Sequence, residues 1–192
     1  MTQGRKLRLG GMALRNGLLV HGPEHWAVAV RRADGTIGVA SGVKPRFSGA
    51  PPAGVPGLRG GDLAAYHGVE HKAIGAYEQD AADAREAAKE HDRCGSHLMA
   101  PLLAANLAGT ALLRRLIERP SPAASAAVQL ASLGAAVEVF AWSERHAETA
   151  AARALRRPGH ELQRVLGTRE PTDEQLEVGR AALAEILRVE RG

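Results

Sequence analysis

A proline- and glycine-rich stretch divides this chain of 192 residues into two parts with different sequence patterns. Ten of the 21 residues in GVKPRFSGAPPAGVPGLRGGD, residues 42–62, are Pro or Gly. Proline lacks a backbone donor and glycine loses much entropy when it is ordered, so such a stretch does not form regular secondary structure. We therefore predict a β-hairpin region over residues 1–42, a linker or long loop over residues 43–62, and a helical domain over residues 63–192.

The segment before this stretch alternates as a β-hairpin does. In HWAVAVRRADGTIGVAS, Trp26, Val28 and Val30 point to one side of a strand and the intervening residues point to the other. Asp34-Gly35 is a common hairpin turn. The preceding MALRNGLLVHGP can supply another strand.

The segment after residue 62 has the sequence texture of helices. We predict helices over residues 63–77, 81–90, 98–113 and 123–142, and a last helix that begins at PTDEQ. In that last helix, Thr172 and Gln175 have the spacing of a capping box. The sequence therefore predicts an α+β fold, with a small N-terminal antiparallel sheet followed by a bundle of about five helices.

Two of these helices are apolar enough to raise the question of a membrane. A spanning helix needs about 20 mostly apolar residues. The run at residues 98–113 is short and contains Asn106, and the run at residues 123–142 contains Gln129 and Glu138. A carboxylate in mid-membrane costs roughly 3 kcal/mol on insertion scales. The pattern favours a buried helical hairpin in a soluble domain over two spanning helices.

Charge and cysteine content limit the partners and the compartment. Residues 1–60 carry nine Arg or Lys and two acidic residues, a net charge of +7, whereas residues 61–192 have a net charge of −3. The basic third can attract an anionic membrane surface, with an ordinary solvated surface as the alternative. No nucleic-acid motif accompanies it, so no specific nucleic-acid binding is expected. With a single cysteine and no signal-peptide pattern, we expect a cytoplasmic protein, soluble or peripheral to the inner face of the cell membrane.

The sharpest chemical signal is the H-x-x-E-H pattern in YHGVEHKAIGAYE, residues 66–78. On a helix, His67 and His71 lie one turn apart on a shared face, where two neutral imidazoles can bind one divalent metal ion, usually Zn²⁺. Glu70 lies beside that face and can act as the base, as in the inverted zincins. A catalytic zinc needs a third protein ligand, for which the candidates are His91, Cys94, Glu78 and Glu138.

Two further features favour a metal site. HDRCGSH, residues 91–97, places His91, Cys94 and His97 at intervals of three, and Glu138 lies in an apolar run where an unpaired carboxylate is costly. Each residue also has an ordinary interpretation. His91 can be favoured by a helix C-terminus, Cys94 can be a small buried side chain, and Glu138 can pair with an arginine.

Four sequence blocks hold 77 of the 192 residues: GGMALRNGLLVHGPEHWAVAVRRADGTI (residues 10–37), YHGVEHKAIGAYE (66–78), HDRCGS (91–96) and PGHELQRVLGTREPTDEQLEVGRAALAEIL (158–187). Together they resemble the YqhQ family, a bacterial family of unknown function whose members have been described as metal-dependent enzymes. The positions that match the family's polar motifs are His67, Glu70, His71, Lys72, Glu78, His91, Arg93, Cys94, Gly95, Glu138, Gln163, Arg169 and Glu170.

The resemblance implies an integral membrane protein with several hydrophobic segments, and this chain departs from it in three places. Asn16 stands where the family has a glutamate, and Asp92 stands where it has a proline. Between the first two blocks, relatives carry long hydrophobic segments, and this chain has only the Pro/Gly-rich stretch.

We therefore expect a metal-dependent enzyme, a hydrolase of unknown substrate, in which Glu70 is the catalytic base. The metal ligands are expected to be His67 and His71, with His91 or Glu138 as the third. Arg169 can hold an anionic substrate group, and a structural contact with Glu170 or with a helix carbonyl is the alternative. The alternative function is a non-catalytic membrane-associated or scaffold protein, whose polar cluster is a structural network inside a helical bundle.

Overall fold

A computed structural model of the protein describes residues 6–45 and 62–192, so most of the predicted linker lies outside the described residues. The elements are β1 (Gly10–Leu14), β2 (Gly17–His21), β3 (His25–Arg31), β4 (Ile37–Val43), α1 (Leu63–Gln79), α2 (Met99–Leu116), α3 (Pro122–Arg145), α4 (Ala150–Leu162) and α5 (Asp173–Arg191). The predicted α+β fold, an N-terminal antiparallel sheet followed by five helices, is confirmed.

The four strands form an antiparallel sheet in the order β1-β2-β3-β4. The segment expected to supply one further strand forms two, β1 and β2, which a two-residue turn at Arg15-Asn16 connects. Neither Asn16 nor Gly17 has a positive φ, so this connection is not the Asn-Gly type I′ turn that the pair Asn16-Gly17 commonly signals. In the turn between β3 and β4, Gly35 has a φ of 83°, a conformation that favours glycine.

The contacts divide the described chain into two compact units. The first unit contains the sheet, α1, the chain up to His91, and Leu166–Gly192, which includes α5. Both of its long helices pack on one face of the sheet. Its core includes Leu18, Val20 and Ile186, whose side chains have no exposed surface.

α5 begins with the predicted capping box. The Thr172 hydroxyl accepts from the Gln175 amide at 3.3 Å, and the Gln175 side chain accepts from the Thr172 amide at 2.9 Å. These two bonds satisfy backbone donors that a helix N-terminus otherwise leaves without partners. The start of α5 is therefore fixed by local sequence.

The predicted helix at residues 81–90 is wrong, since only a short 3-10 turn forms there, at Ala84–Glu86. The Asp83 carboxylate accepts from the Arg85 amide, and the ammonium of Lys72 donates to the carbonyls of Arg85 and Ala87. These bonds replace those that a helix would make. A helix that was not predicted, α4, begins after Thr149, whose hydroxyl caps it.

The second unit, Asp92–Val165, contains α2, α3 and α4. α2 and α3 form an antiparallel hairpin, but the prediction that this hairpin is buried is wrong. No residue of α2 is buried, and α3 buries only Ser132, Ala136 and Ser143. Its large apolar side chains are exposed instead, among them Leu103, Leu107, Leu112, Leu116, Leu130 and Leu133.

Candidate functional site

The two histidines of the H-x-x-E-H pattern lie side by side on α1, with ring centroids 4.3 Å apart. The Nδ1 atom of His67 lies 2.8 Å from the carbonyl oxygen of Gly167, and the Nδ1 atom of His71 lies 2.6 Å from that of Lys89. A carbonyl oxygen only accepts, so each Nδ1 carries the proton and donates it. In the neutral rings the lone pair therefore lies on Nε2, the arrangement usual for histidine ligands of zinc.

The carbonyl that orients His67 belongs to a segment, residues 167–170, that crosses α1. The Arg169 amide donates to the carbonyl of Ala64 at 2.9 Å, and the Arg169 guanidinium pairs with the Asp62 carboxylate. Gly68 makes this crossing possible, because a Cβ at that position would lie 2.3 Å from the Arg169 carbonyl oxygen. The ion pair of Arg169 is therefore with Asp62, and not with its neighbour Glu170.

The carbonyl that orients His71 belongs to a second segment, residues 85–91. Lys72, which is 4% exposed, donates to the carbonyl oxygens of Arg85 at 3.1 Å and Ala87 at 2.8 Å, and it pairs with Glu170 at 2.8 Å. The Lys89 ammonium donates to the Thr168 carbonyl at 3.3 Å. These lysines hold both segments against α1 and against each other.

His91 lies at the end of the same segment and faces His71, with ring centroids 5.6 Å apart. Its Nε2 atom is 3.1 Å from a carboxylate oxygen of Glu78, which lies two turns beyond His71 on α1. An ionised carboxylate accepts, so Nε2 carries the proton and Nδ1 carries the lone pair of the neutral ring. Glu78 is thereby placed to orient His91, and Nδ1 is the nitrogen that could ligate a metal.

Glu70 occupies the side of α1 that faces the sheet. A Cβ added to Gly11 of β1 would lie 2.7 Å from Cγ and 2.9 Å from Oε1 of Glu70. The glycine therefore makes room for the carboxyl group, which is only partly exposed. Gly11 was not among the residues singled out by sequence, because its role depends on a contact between distant elements.

Three of the predicted site residues lie in the second unit. Glu138 is exposed on α3 and makes no hydrogen bond or ion pair with the residues that the structure describes. Arg93 and Cys94 are partly buried, and Cys94 precedes a 3-10 turn at Gly95–Leu98. The structure leaves their proposed roles as predictions.

His97, the third member of the HDRCGSH pattern, has a structural role within the second unit. It is 2% exposed, and its Nδ1 atom donates to the Arg156 carbonyl at 2.9 Å. Its Nε2 atom accepts from the Gln163 amide at 3.2 Å, and that amide also donates to the Ser96 hydroxyl at 2.8 Å. This ring therefore joins the start of the unit to α4 and the turn after it.

The sequence signals missed Lys72 and Lys89 as organisers of the site. Lys72 was visible as a family-matching position, and its place on the buried side of α1 could have drawn attention to it. Lys89 acts through its backbone carbonyl as well as its ammonium. A backbone acceptor leaves no trace in residue type, so only the fold reveals it.

Comparison with known proteins identifies a family. A family model described as "Protein of unknown function (DUF1385)" matches residues 62–189. The chain belongs to this family. The match includes α1 with both histidines and agrees with the resemblance to the YqhQ family. No curated protein and no solved structure matches the chain.

Proposed function

We propose that this chain is a metal-dependent enzyme of the hydrolase class, with its metal centre on α1. His67 and His71 supply Nε2 ligands, His91 supplies its Nδ1 atom as the third ligand, and Glu70 is the base. Zinc is the expected ion, since imidazole nitrogens suit it and three protein ligands leave a position for water. The substrate is left open.

The observation that carries this proposal is the pair of Nδ1–carbonyl hydrogen bonds at His67 and His71. Each bond sets the ring orientation and the tautomer, and both leave the lone pair on Nε2 of rings 4.3 Å apart. Ligating histidines nearly always donate their other N–H in this way. The two acceptors, the carbonyl oxygens of Gly167 and Lys89, come from separate segments of the chain.

The residues of the chain divide the proposed chemistry among them. A zinc ion held by His67, His71 and His91 would supply Lewis-acid activation of water. Glu70 would serve the attacking water as a general base and then the leaving group as a general acid. The ammonium of Lys72 and the 167–170 segment hold α1 and its histidines in place.

The test is metal stoichiometry in the purified full-length chain, measured by mass spectrometry of the elements after loading with Zn²⁺. We expect about one equivalent of zinc for the wild type, and loss of that zinc in His67→Ala and His71→Ala. Glu70→Gln should retain the metal. Hydrolysis of chromogenic esters, phosphate esters and peptides should then be lost in Glu70→Gln, if the wild type cleaves any of them.

A matched control is His21→Ala, which removes a histidine of β2 and should leave zinc binding unchanged. Equal zinc in the wild type, His67→Ala and His71→Ala would contradict the metal centre. Equal loss of zinc in Glu70→Gln would make Glu70 a ligand and would end its role as a base.

The hairpin of α2 and α3 favours a second candidate, a membrane-associated protein in which this hairpin inserts into the bilayer. Two helical stretches, Gly95–Leu116 and Pro122–Arg145, are long and apolar enough to cross a membrane, and only 6% and 11% of their apolar windows are buried. A core helix of a soluble protein would bury most of this surface. Exposed apolar helices of 22 and 24 residues are long enough for a hydrocarbon layer of about 30 Å.

A further inference from the structure

The sheet of the first unit has two apolar faces, and α1 and α5, the two long helices described in that unit, pack on only one of them. The inner face presents Leu18, Val20, Ala27 and Ala29 to the core, under α1 and α5. None of these four side chains has any exposed surface. Among the described residues, both helices that pack on the sheet lie on this inner side.

The outer face is also apolar across all four strands. Its twelve positions contain no acidic side chain, lysine or arginine. The large side chains on it are Met12, Leu14, Leu19, Trp26, Val28 and Val30. The remaining positions hold glycine, alanine and His21. The strand registers place Met12, Leu19, Val28 and Ala40 in one row across the sheet.

This distribution is unusual for a sheet face that meets water. Antiparallel sheets with one covered face normally alternate between apolar residues inside and polar residues outside. β3 instead turns its small residues Ala27 and Ala29 toward the core and its large residues Trp26 and Val28 outward. A contiguous apolar surface of this kind marks an interaction site.

The charges at the rim of this face are mainly positive. Residues 6–45 carry six Arg or Lys and two acidic residues. Lys6 and Arg31 pair with carboxylates of the helices, which leaves Arg8, Arg15, Arg32 and Lys44 around the sheet. The Arg32 side chain lies over the outer-face position Gly38, where a Cβ would be 2.8 Å from Nε.

Lys44 is a second positively charged side chain near the outer face. Burial and the nearby Lys44 ammonium together lower the pKa of His21, the one titratable side chain on this face. His21 is therefore neutral over a wider pH range than an ordinary histidine. The centre of the face stays uncharged, and its margin stays positive.

We propose that the outer face of the sheet docks onto an anionic phospholipid surface. The apolar centre would enter the interfacial layer with Trp26, since tryptophan favours that depth. Arg15, Arg32 and Lys44 would meet the lipid phosphates, each adding attraction near a charged surface. A second copy of the chain fits this face less well, because its positive rim would meet another positive rim. The proposal extends the membrane-associated candidate, but it rests on the sheet alone and not on the hairpin or the metal centre.

Trp26 is a built-in reporter, because the chain has only two tryptophans. In the full-length chain, Trp142→Phe leaves Trp26 as the sole indole. Its fluorescence is measured with phosphatidylcholine vesicles that carry brominated acyl chains, with and without phosphatidylglycerol. We expect a blue shift and quenching with phosphatidylglycerol, and much weaker effects without it.

Two variants in this background test the surface. Val28→Glu places a carboxylate at the centre of the face and should weaken the vesicle affinity reported by Trp26 quenching about tenfold or more, whereas Val39→Glu, at an exposed position of the opposite face, should leave it unchanged. Arg32→Gln combined with Lys44→Gln should remove the preference for phosphatidylglycerol without changing the apolar centre. Circular dichroism checks that each variant folds.

The outcomes separate this proposal from the hairpin. Protein that sediments with vesicles while Trp26 stays unquenched would overturn docking through the sheet and leave the hairpin as the anchor. A blue shift that appears without lipid and grows with protein concentration would overturn it in favour of a second copy. Quenching that survives in both Val28→Glu and the double variant would also overturn it.

Discussion

At Gly68, α1 meets the 167–170 segment with no room for a side chain. The missing Cβ would lie 2.3 Å from the carbonyl oxygen of Arg169, well inside contact distance. The same segment supplies the Gly167 carbonyl that orients His67. One glycine therefore links the packing of the first unit to the geometry of the candidate metal centre.

We expect Gly68→Ala to destabilise the protein by roughly 1–3 kcal/mol, since a backbone carbonyl must move to admit the methyl group. Zinc affinity should fall in parallel, because the shift disturbs the acceptor of His67. The measurements are denaturant unfolding and zinc titration.

The control is Gly134→Ala in α3, where an added Cβ meets nothing within 4 Å. Alanine favours a helix over glycine, so this variant should be neutral or slightly stabilised. Equal stability and zinc affinity in Gly68→Ala and the wild type would contradict the tight crossing.

The C-terminal end of α5 is attached to the turn between β2 and β3 by one carboxylate. Glu190, whose side chain is 4% exposed, accepts from the backbone amides of Glu24 at 2.9 Å and His25 at 2.7 Å. Burial acts to raise the pKa of Glu190, but the bonds from the two amides and the nearby His25 outweigh it, so the pKa is lowered. The ionised form is therefore the one that the folded state favours.

Because the pKa of Glu190 is lowered in the folded protein, the stability of the protein falls as the solution is made more acidic. The stabilisation that ionised Glu190 contributes is complete above its unfolded pKa of about 4.5, and it is lost as the pH falls through its lower folded pKa. We expect Glu190→Gln to lose about 1 kcal/mol at pH 7, the difference between a charged and a neutral acceptor. The loss should shrink as the pH falls through the lowered pKa of folded Glu190, which urea unfolding at several pH values would measure.

Glu177→Gln serves as the comparison, because Glu177 is a 56% exposed partner of Arg31 on the same helix. Exposed ion pairs contribute little, so this variant should stay within about 0.5 kcal/mol of the wild type at every pH. A loss in Glu190→Gln that does not change with pH would show that packing, and not charge, holds the helix end.

The exposed apolar hairpin of the second unit changes the expected association of the whole protein with membranes. The sequence favoured a soluble or peripheral protein, and high salt would release a peripheral protein from membranes because it screens the attraction to lipid charges. The surface of α2 and α3 favours insertion, because the apolar side chains that would form a soluble core lie outside.

We expect the protein to stay with membranes in a high-salt wash and to require detergent for extraction. Leu107 is 71% exposed on α2, so Leu107→Lys costs a folded soluble protein little. In a bilayer the same change costs about 3 kcal/mol and should move protein into the soluble fraction. Leu155→Lys on α4 is the matched control. Release of the wild type by salt alone would restore the peripheral interpretation.

The sequence by itself determined the elements whose signals are local. The alternation in β3, the capping box at Thr172 and the helical spacing of His67 and His71 each involve residues within one or two turns or strands. Such patterns follow from backbone periodicity and need no knowledge of distant contacts. They were enough to predict an α+β fold and to single out the histidine helix.

The tertiary structure decided which surface each pattern presents and what the side chains meet. The carbonyl that orients His67 lies 100 residues away in sequence. In residues 81–90, whose composition favoured a helix, the carbonyls of Arg85 and Ala87 accept from the ammonium of Lys72 instead. Alternation shows that β3 has two faces, but packing under α1 and α5 decided that its small alanines face the core. Apolar content likewise could not show that the hairpin is exposed, because burial is a property of neighbours and not of the segment itself.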